Sequence, residues 1–224
     1  MGLFNAFWKM LGNIGKRVFN RRETKTSLYL FGAMHHTMID TIAETCDGNY
    51  EEAMDKLIGL VAPTSEEIIY ELMFGTAVMG VSFKKLANKF SNPDQYPFLL
   101  DFALYAIFGS WCKKIFEKTR YIPASKSEEN VETYVVRLKS CPFCYPTMLP
   151  PEKFGKHRFG KMIALTIAQM SQQIQTYLGR DVTVLTREVK CFHQGDPYGE
   201  IRIWLYPRDQ PKLMDQNEYL QKIK

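Results

Sequence analysis

KHRFGKMIALTIAQMSQQIQTYLGRDVTVLTREVKCFHQGDPYGEIRIWLY, residues 156–206, reads as one long amphipathic helix and a β-hairpin. Phe159, Ile163, Ile167, Met170, Ile174 and Leu178 recur at spacings of three and four, which lines them along one helical face. Gly179 suits the first position past a helix end, and Arg180 begins the exit into a strand. Val182, Val184, Leu185, Val189 and Cys191 read as β, with the alternation broken between Val184 and Leu185, so a bulge or edge irregularity is expected there. After the Gly195-Asp196-Pro197 turn, Ile201, Ile203 and Leu205 share one strand face, and Arg202, Trp204 and Tyr206 the other.

The run VKCFHQGDPYGEIRIWL at 189–205 resembles the closing hairpin of the 4-vinyl reductase domain family, a small-molecule-binding domain of bacteria and archaea. The subunits of the TRAPP vesicle-tethering complexes share that fold. The family's pattern is cysteine, three residues, glycine, three residues, cysteine. Cys191 and Gly195 match its first two positions, and Gly199 stands where the second cysteine would be. The resemblance implies a TRAPP-like α+β fold, helices packed with a small antiparallel sheet, and a dimer through the first helices. One fold serves unrelated jobs, so function has to come from the site.

A chain of 224 residues can bury a sizeable single core. Its 46% hydrophobic and 24% charged content is ordinary for a globular protein. Cys46, Cys112, Cys141, Cys144 and Cys191 are too few and too scattered for a disulfide scaffold. No cleavable signal peptide is visible, and a cytoplasmic address is expected. The formal charge of +5 is localised: Lys9, Lys16, Arg17, Arg21, Arg22 and Lys25 against Glu23 already give +5, so the rest is neutral. A nucleic-acid face on the main domain is not expected.

Residues 1–27 form a basic arm. On a helical wheel Leu3, Phe4, Phe7, Trp8, Met10, Leu11, Ile14, Val18 and Phe19 fall on one side. Asn5, Lys9, Asn13, Lys16 and Asn20 fall opposite. That pattern suits a helix lying on an anionic membrane surface, which would make the protein peripheral there. Packing on the protein's own body or on a dimer mate is the competing account, and a disordered arm the third. The apolar residues are interrupted too often to span a bilayer. Gly2 invites a myristoylation reading, but Ala6 breaks the motif.

The domain itself is expected at 28–206, with a short helical tail at 207–224. Residues 27–46 read as its first helix, with adjacent His35 and His36 as core or interface residues rather than a metal pair. A short helix follows from Tyr50 to Leu60. Thr64 with Glu67 makes a capping box that starts a third helix running to about Phe90. Gly75 and Gly80 within it suggest close packing, and the helices at 27–46 and 64–90 are expected to form a homodimer. Residues 97–116 are apolar nearly all round and suit a buried central helix. Phe102, Tyr105, Ala106, Gly109 and Cys112 would line an internal cavity for an apolar ligand, or simply fill the core. A strand follows at 131–138.

Cys141-Pro-Phe-Cys144 is consistent with a zinc half-site, a redox pair or two unrelated thiols. Zinc needs about four ligands, and Cys191 with His193 supplies a second pair expected on one strand face. Cys141, Cys144, Cys191 and His193 then form a candidate zinc site, with His157 as substitute. Some sensors of the resembled family hold a structural zinc with cysteines of the closing hairpin. Reduced, partly buried thiols are the other reading.

No phosphate-binding glycine loop, GxSxG or HExxH is present, and no catalytic residues are assigned. The expected function is a non-catalytic homodimeric module holding an apolar small molecule or lipid in its helical core. An adaptor or tethering subunit acting through protein partners is the alternative, and a reductase-type enzyme the second. Deleting residues 1–22 is expected to abolish co-flotation with anionic liposomes at low salt and to leave the melting temperature unchanged. A truncated protein that melts several degrees lower, from a parent that never floats, would place the apolar face on the protein instead.

Overall fold

In the computed structural model, which describes residues 28–75, 77–78, 81–90, 92–141, 144 and 160–208, helices pack against one antiparallel sheet in an α+β arrangement. The basic arm at 1–27, His157 and the tail beyond Arg208 lie outside the described residues.

Helix α1 (Leu28–Glu44) is followed by Asp47 and Gly48, whose φ of 53° and 78° reverse the chain. Asn49 then caps α2 (Tyr50–Tyr70), its side chain accepting from the Glu51 and Glu52 amides at 3.1 and 3.2 Å. The Tyr50 hydroxyl donates to Asp40 Oδ1 at 2.6 Å and ties the two helices.

Helix α2 corrects two expectations. It runs straight through Pro63, and Thr64 and Glu67 lie exposed in mid-helix instead of capping a new one. Pro63 costs an interior hydrogen bond, but the neighbouring helix holds this stretch in place. Gln169 Nε2 donates to the Ala62 carbonyl and Gln173 Nε2 to the Glu66 carbonyl, each at 2.8 Å. Ser65 Oγ donates to Gln169 Oε1 at 2.8 Å. Beyond Tyr70 the expected long helix gives way to a π turn (Glu71–Gly75) and a two-residue ladder, β1 (Ala77–Val78) with β2 (Val81–Ser82). Gly75, Val78 and Val81 are poor helix formers, and here propensity prevails. Ser82 caps the separate short helix α3 (Phe83–Lys89).

Helix α4 (Tyr96–Phe108) stops earlier than the apolar run suggested. Gly109, at φ 57° and ψ −136°, breaks it into a 3-10 turn and the single-turn helix α5 (Cys112–Ile115). A short strand missed in the sequence, β3 (Arg120–Ile122), follows, anchored by Thr119, whose amide and hydroxyl donate to Asp101 Oδ1 at 3.0 and 2.7 Å. Then come β4 (Glu132–Leu138), α6 (Lys161–Tyr177), β5 (Val182–Lys190) and β6 (Gly199–Pro207).

The sheet order is β3-β4-β6-β5 and every pairing is antiparallel. Tyr134, Val136, Val184, Ile201, Ile203 and Leu205 point into the main core, against Ile163, Ile167, Met170 and Ile174 of α6. Leu185, Trp204 and Val131 form a second, small cluster on the opposite face. That explains the broken alternation at Val184-Leu185: both faces are buried there, so both residues are apolar. The bulge lies elsewhere, where the register shifts between Glu188 and Lys190. Gly179, at φ 68°, ends α6 as expected. Among the described residues no helix is long and apolar enough to cross a membrane.

His35 and His36 are both buried. Burial, and then the nearby His36, lower the His35 pKa to about 4. The folded protein therefore binds this proton less readily than the unfolded chain. The stabilisation is complete above pH 6.5 and is lost as pH falls towards 4, by about 3 kcal/mol at most. Urea melts at pH 7 and 4.5 are expected to show this loss in the parent and a reduced loss in His35→Gln.

Candidate functional site

Strand register explains why distant cysteines meet. Leu138, the last residue of β4, pairs with Gly199, the first of β6, while Lys190, the last of β5, pairs with Glu200. The ends of β4 and β5 therefore flank the start of β6. Cys141 lies three residues past one end and Cys191 one residue past the other. Cys144 then comes within 3.9 Å of Cys191, sulfur to sulfur, and its amide donates to the Cys141 carbonyl at 3.2 Å. Cys141 and Cys191 are buried, Cys144 half-buried, and none of the five cysteines is in a disulfide.

The turn that carries Cys191 is closed by backbone bonds. Strand β5 stops at Lys190, and Phe192–Gln194 turns as a 3-10 helix into Gly195 at φ 85°. Asp196 Oδ2 accepts the Cys191 amide at 2.8 Å. Cys191 and His193 therefore do not share a strand face. His193 is half-buried within the turn itself. Gly199 also has a steric reason. A Cβ there would stand 3.1 Å from Leu138 Cβ, so the cysteine of the resembled pattern would press on β4.

Glu188 was not anticipated as a site residue. It lies an odd number of positions from Cys191, which in a regular strand would put the two on opposite faces. The bulge after Glu188 removes that opposition. Glu188 is buried and accepts the Gly160 amide at 3.0 Å. Burial, followed by the charges of Cys191 and Cys141, pushes its pKa up to about 9, so the carboxyl is neutral at pH 7. Hydrogen bonding to Cys141 and Cys191, then burial, raises the Cys144 thiol as well. The signal in the sequence was an acid in a strand otherwise rich in Val, Leu and Thr.

The site is thus three thiols and a neutral carboxylic acid at one end of the sheet. Soft sulfur donors beside a carboxyl suit a borderline metal ion. As they stand, no group of three or more His, Cys, Asp or Glu side chains among the described residues is arranged to hold an ion. The proposed ligand-lining residues lie on another part of the chain. Phe102, Tyr105 and Ala106 belong to α4, Gly109 opens the 3-10 turn and Cys112 begins α5. Tyr105, Gly109 and Cys112 are buried, Ala106 is half-buried, and the half-buried Phe102 ring stacks 6.0 Å from that of Phe83.

No protein-family model matches the chain, and no curated protein is significantly similar to it.

Gly160 is where the helix start meets the carboxyl. A Cβ on it would collide with both Glu188 oxygens. Gly160→Ala is expected to lower stability by about 1–3 kcal/mol in urea unfolding, because the buried acid must give up its amide donor or the helix must shift. An unchanged midpoint would show that Glu188 has an equally good place to go.

Proposed function

We propose that this chain is a non-catalytic, homodimeric binding module of the 4-vinyl reductase type, with its closing hairpin tied down by zinc. The observation that carries the reading is the return of the Cys141–Cys144 segment onto Cys191, the hairpin position that the resembled family uses. Two sulfurs bound tetrahedrally to one zinc at ~2.3 Å lie ~3.8 Å apart, close to the 3.9 Å between Cys144 and Cys191. Cys141, Cys144 and Cys191 would supply three ligands once drawn onto an ion, and His193 or Glu188 would complete the site. Bound zinc would supply a cross-link here. The protein's part is to bring the thiols together and exclude water from them.

The helical side supports the other half of the proposal. Met34 and Met38 on α1 are 54% and 45% exposed, and Leu60 and Ile68 on α2 are 71% and 52% exposed. Such side chains, on helices packed against each other, suit an isologous contact with a second copy. In this proposal an apolar ligand would lie against Phe102, Tyr105, Ala106, Gly109 and Cys112, and the amphipathic arm would bind an anionic membrane surface.

Native mass spectrometry of the full chain, purified without a metal-affinity step, tests these elements together. A dimer carrying one zinc per chain and a lipid-like adduct is expected. A bare monomer with well under half an equivalent of zinc would overturn the proposal, and a stoichiometric protein partner in place of the adduct would favour an adaptor. Glu188→Gln and His193→Ala separate the two candidate fourth ligands, since the true one should cost zinc affinity about 10–100-fold or more.

A further inference from the structure

We infer that Cys144 and Cys191 are an oxidisable pair whose disulfide would pin the segment after β4 onto the β5–β6 hairpin. The inference uses thiols of the proposed zinc site but does not require the metal. Three observations carry it. The two sulfurs are already 3.9 Å apart, so bond formation needs a movement of about 2 Å to reach disulfide length. Cys144 is half-buried while Cys191 is fully buried, which makes Cys144 the sulfur that a small oxidant reaches first. Cys191 is held in place by the Asp196 carboxylate on its amide, so the resolving sulfur stays within reach.

The chemistry closes with hydrogen peroxide as the oxidant. The Cys144 thiolate attacks one peroxide oxygen, forming an S–O bond and breaking the O–O bond. The departing hydroxide takes up a proton and leaves as water. Cys191 sulfur then attacks the sulfenic sulfur of Cys144, the S–S bond replaces the S–O bond, and a second water leaves with the Cys191 proton. Two thiols lose two electrons, and one peroxide becomes two waters. Hydrogen bonding to Cys141 and Cys191, and then burial, hold the Cys144 proton on, so this first step is slow and the 3.9 Å approach of the two sulfurs decides which disulfide forms.

Cys141 is the rival partner, and the two outcomes differ in consequence. A Cys141–Cys144 bond would close a local turn and leave the hairpin untouched. A Cys144–Cys191 bond joins positions 47 apart and encloses α6 and β5, so it restricts the unfolded chain strongly. In a reducing compartment such a bond would form under oxidative stress and be reversed afterwards.

The test uses the full chain, reduced and stripped of metal with a chelator, then treated with hydrogen peroxide and mapped by non-reducing peptide mass spectrometry. A Cys144–Cys191 peptide is expected, with a melting temperature raised by about 10 °C and restored by dithiothreitol. Cys141→Ser should keep both the link and the shift, and Cys191→Ser should lose both. A Cys141–Cys144 link, or Cys144 overoxidised with no disulfide, would overturn the inference. A parallel zinc-loaded sample should form the link more slowly. If the chain binds no zinc, the stripped sample still decides the question.

Discussion

The pairing of β6 with β4 on one side and β5 on the other organises the rest of the molecule. It sets Ile201, Ile203 and Leu205 in line with Tyr134, Val136 and Val184, and so makes the apolar floor on which α6 lies. Because side chains alternate along each strand, the same register assigns Trp204 and Leu185 to the far face. It also fixes which strand ends are neighbours. The thiol site follows from that last consequence, since Cys141 and Cys191 hang from the two strand ends that flank the start of β6.

Helix α6 joins the layers through polar groups as much as through its apolar stripe. Gln172 accepts the Val184 amide at 2.9 Å and donates to the Val182 carbonyl at 3.1 Å, matching the hydrogen bonds that a neighbouring strand would make. Gln169 and Gln173 donate to the Ala62 and Glu66 carbonyls of α2 on the other side. Buried backbone polar groups are costly when left unpaired, so these amides stabilise the contacts beyond the burial of the stripe. Thr186 adds a bond from its hydroxyl to the Ala164 carbonyl at 3.0 Å.

At the sheet end the surroundings of Glu188 and Cys144 disfavour their charged forms. A neutral Glu188 and a Cys144 thiol held protonated can be packed together with little penalty, whereas several anions there would repel in a water-poor setting. A bound cation would reverse that preference by drawing thiolates and carboxylate into their ionised forms. Oxidation to a disulfide would remove the titratable sulfur protons altogether. The metal and the disulfide proposed above both draw on this one convergence of sulfur.

Local pattern alone determined much of the scaffold. The period of Ile163, Ile167, Met170 and Ile174, the stop at Gly179, the turn at Gly195 and the alternation of Ile201, Ile203 and Leu205 each reflect short-range sterics and amphipathicity. They were legible before any fold was known, and so was the α+β class. Tertiary structure decided the rest, because the deciding partners are far apart in sequence. Pro63 stays helical because residues of α6, about a hundred positions away, hold the flanking carbonyls. Ala77–Val78 and Val81–Ser82 pair as strands in place of a continued helix, and the run at 97–116 is cut at Gly109, where backbone conformation outweighs hydrophobic pattern. Cys141, Cys144 and Cys191 were marked as candidates by residue type, but their meeting depends on strand order. Glu188 was hidden because a bulge, which no periodicity located correctly, turns it towards the same ground.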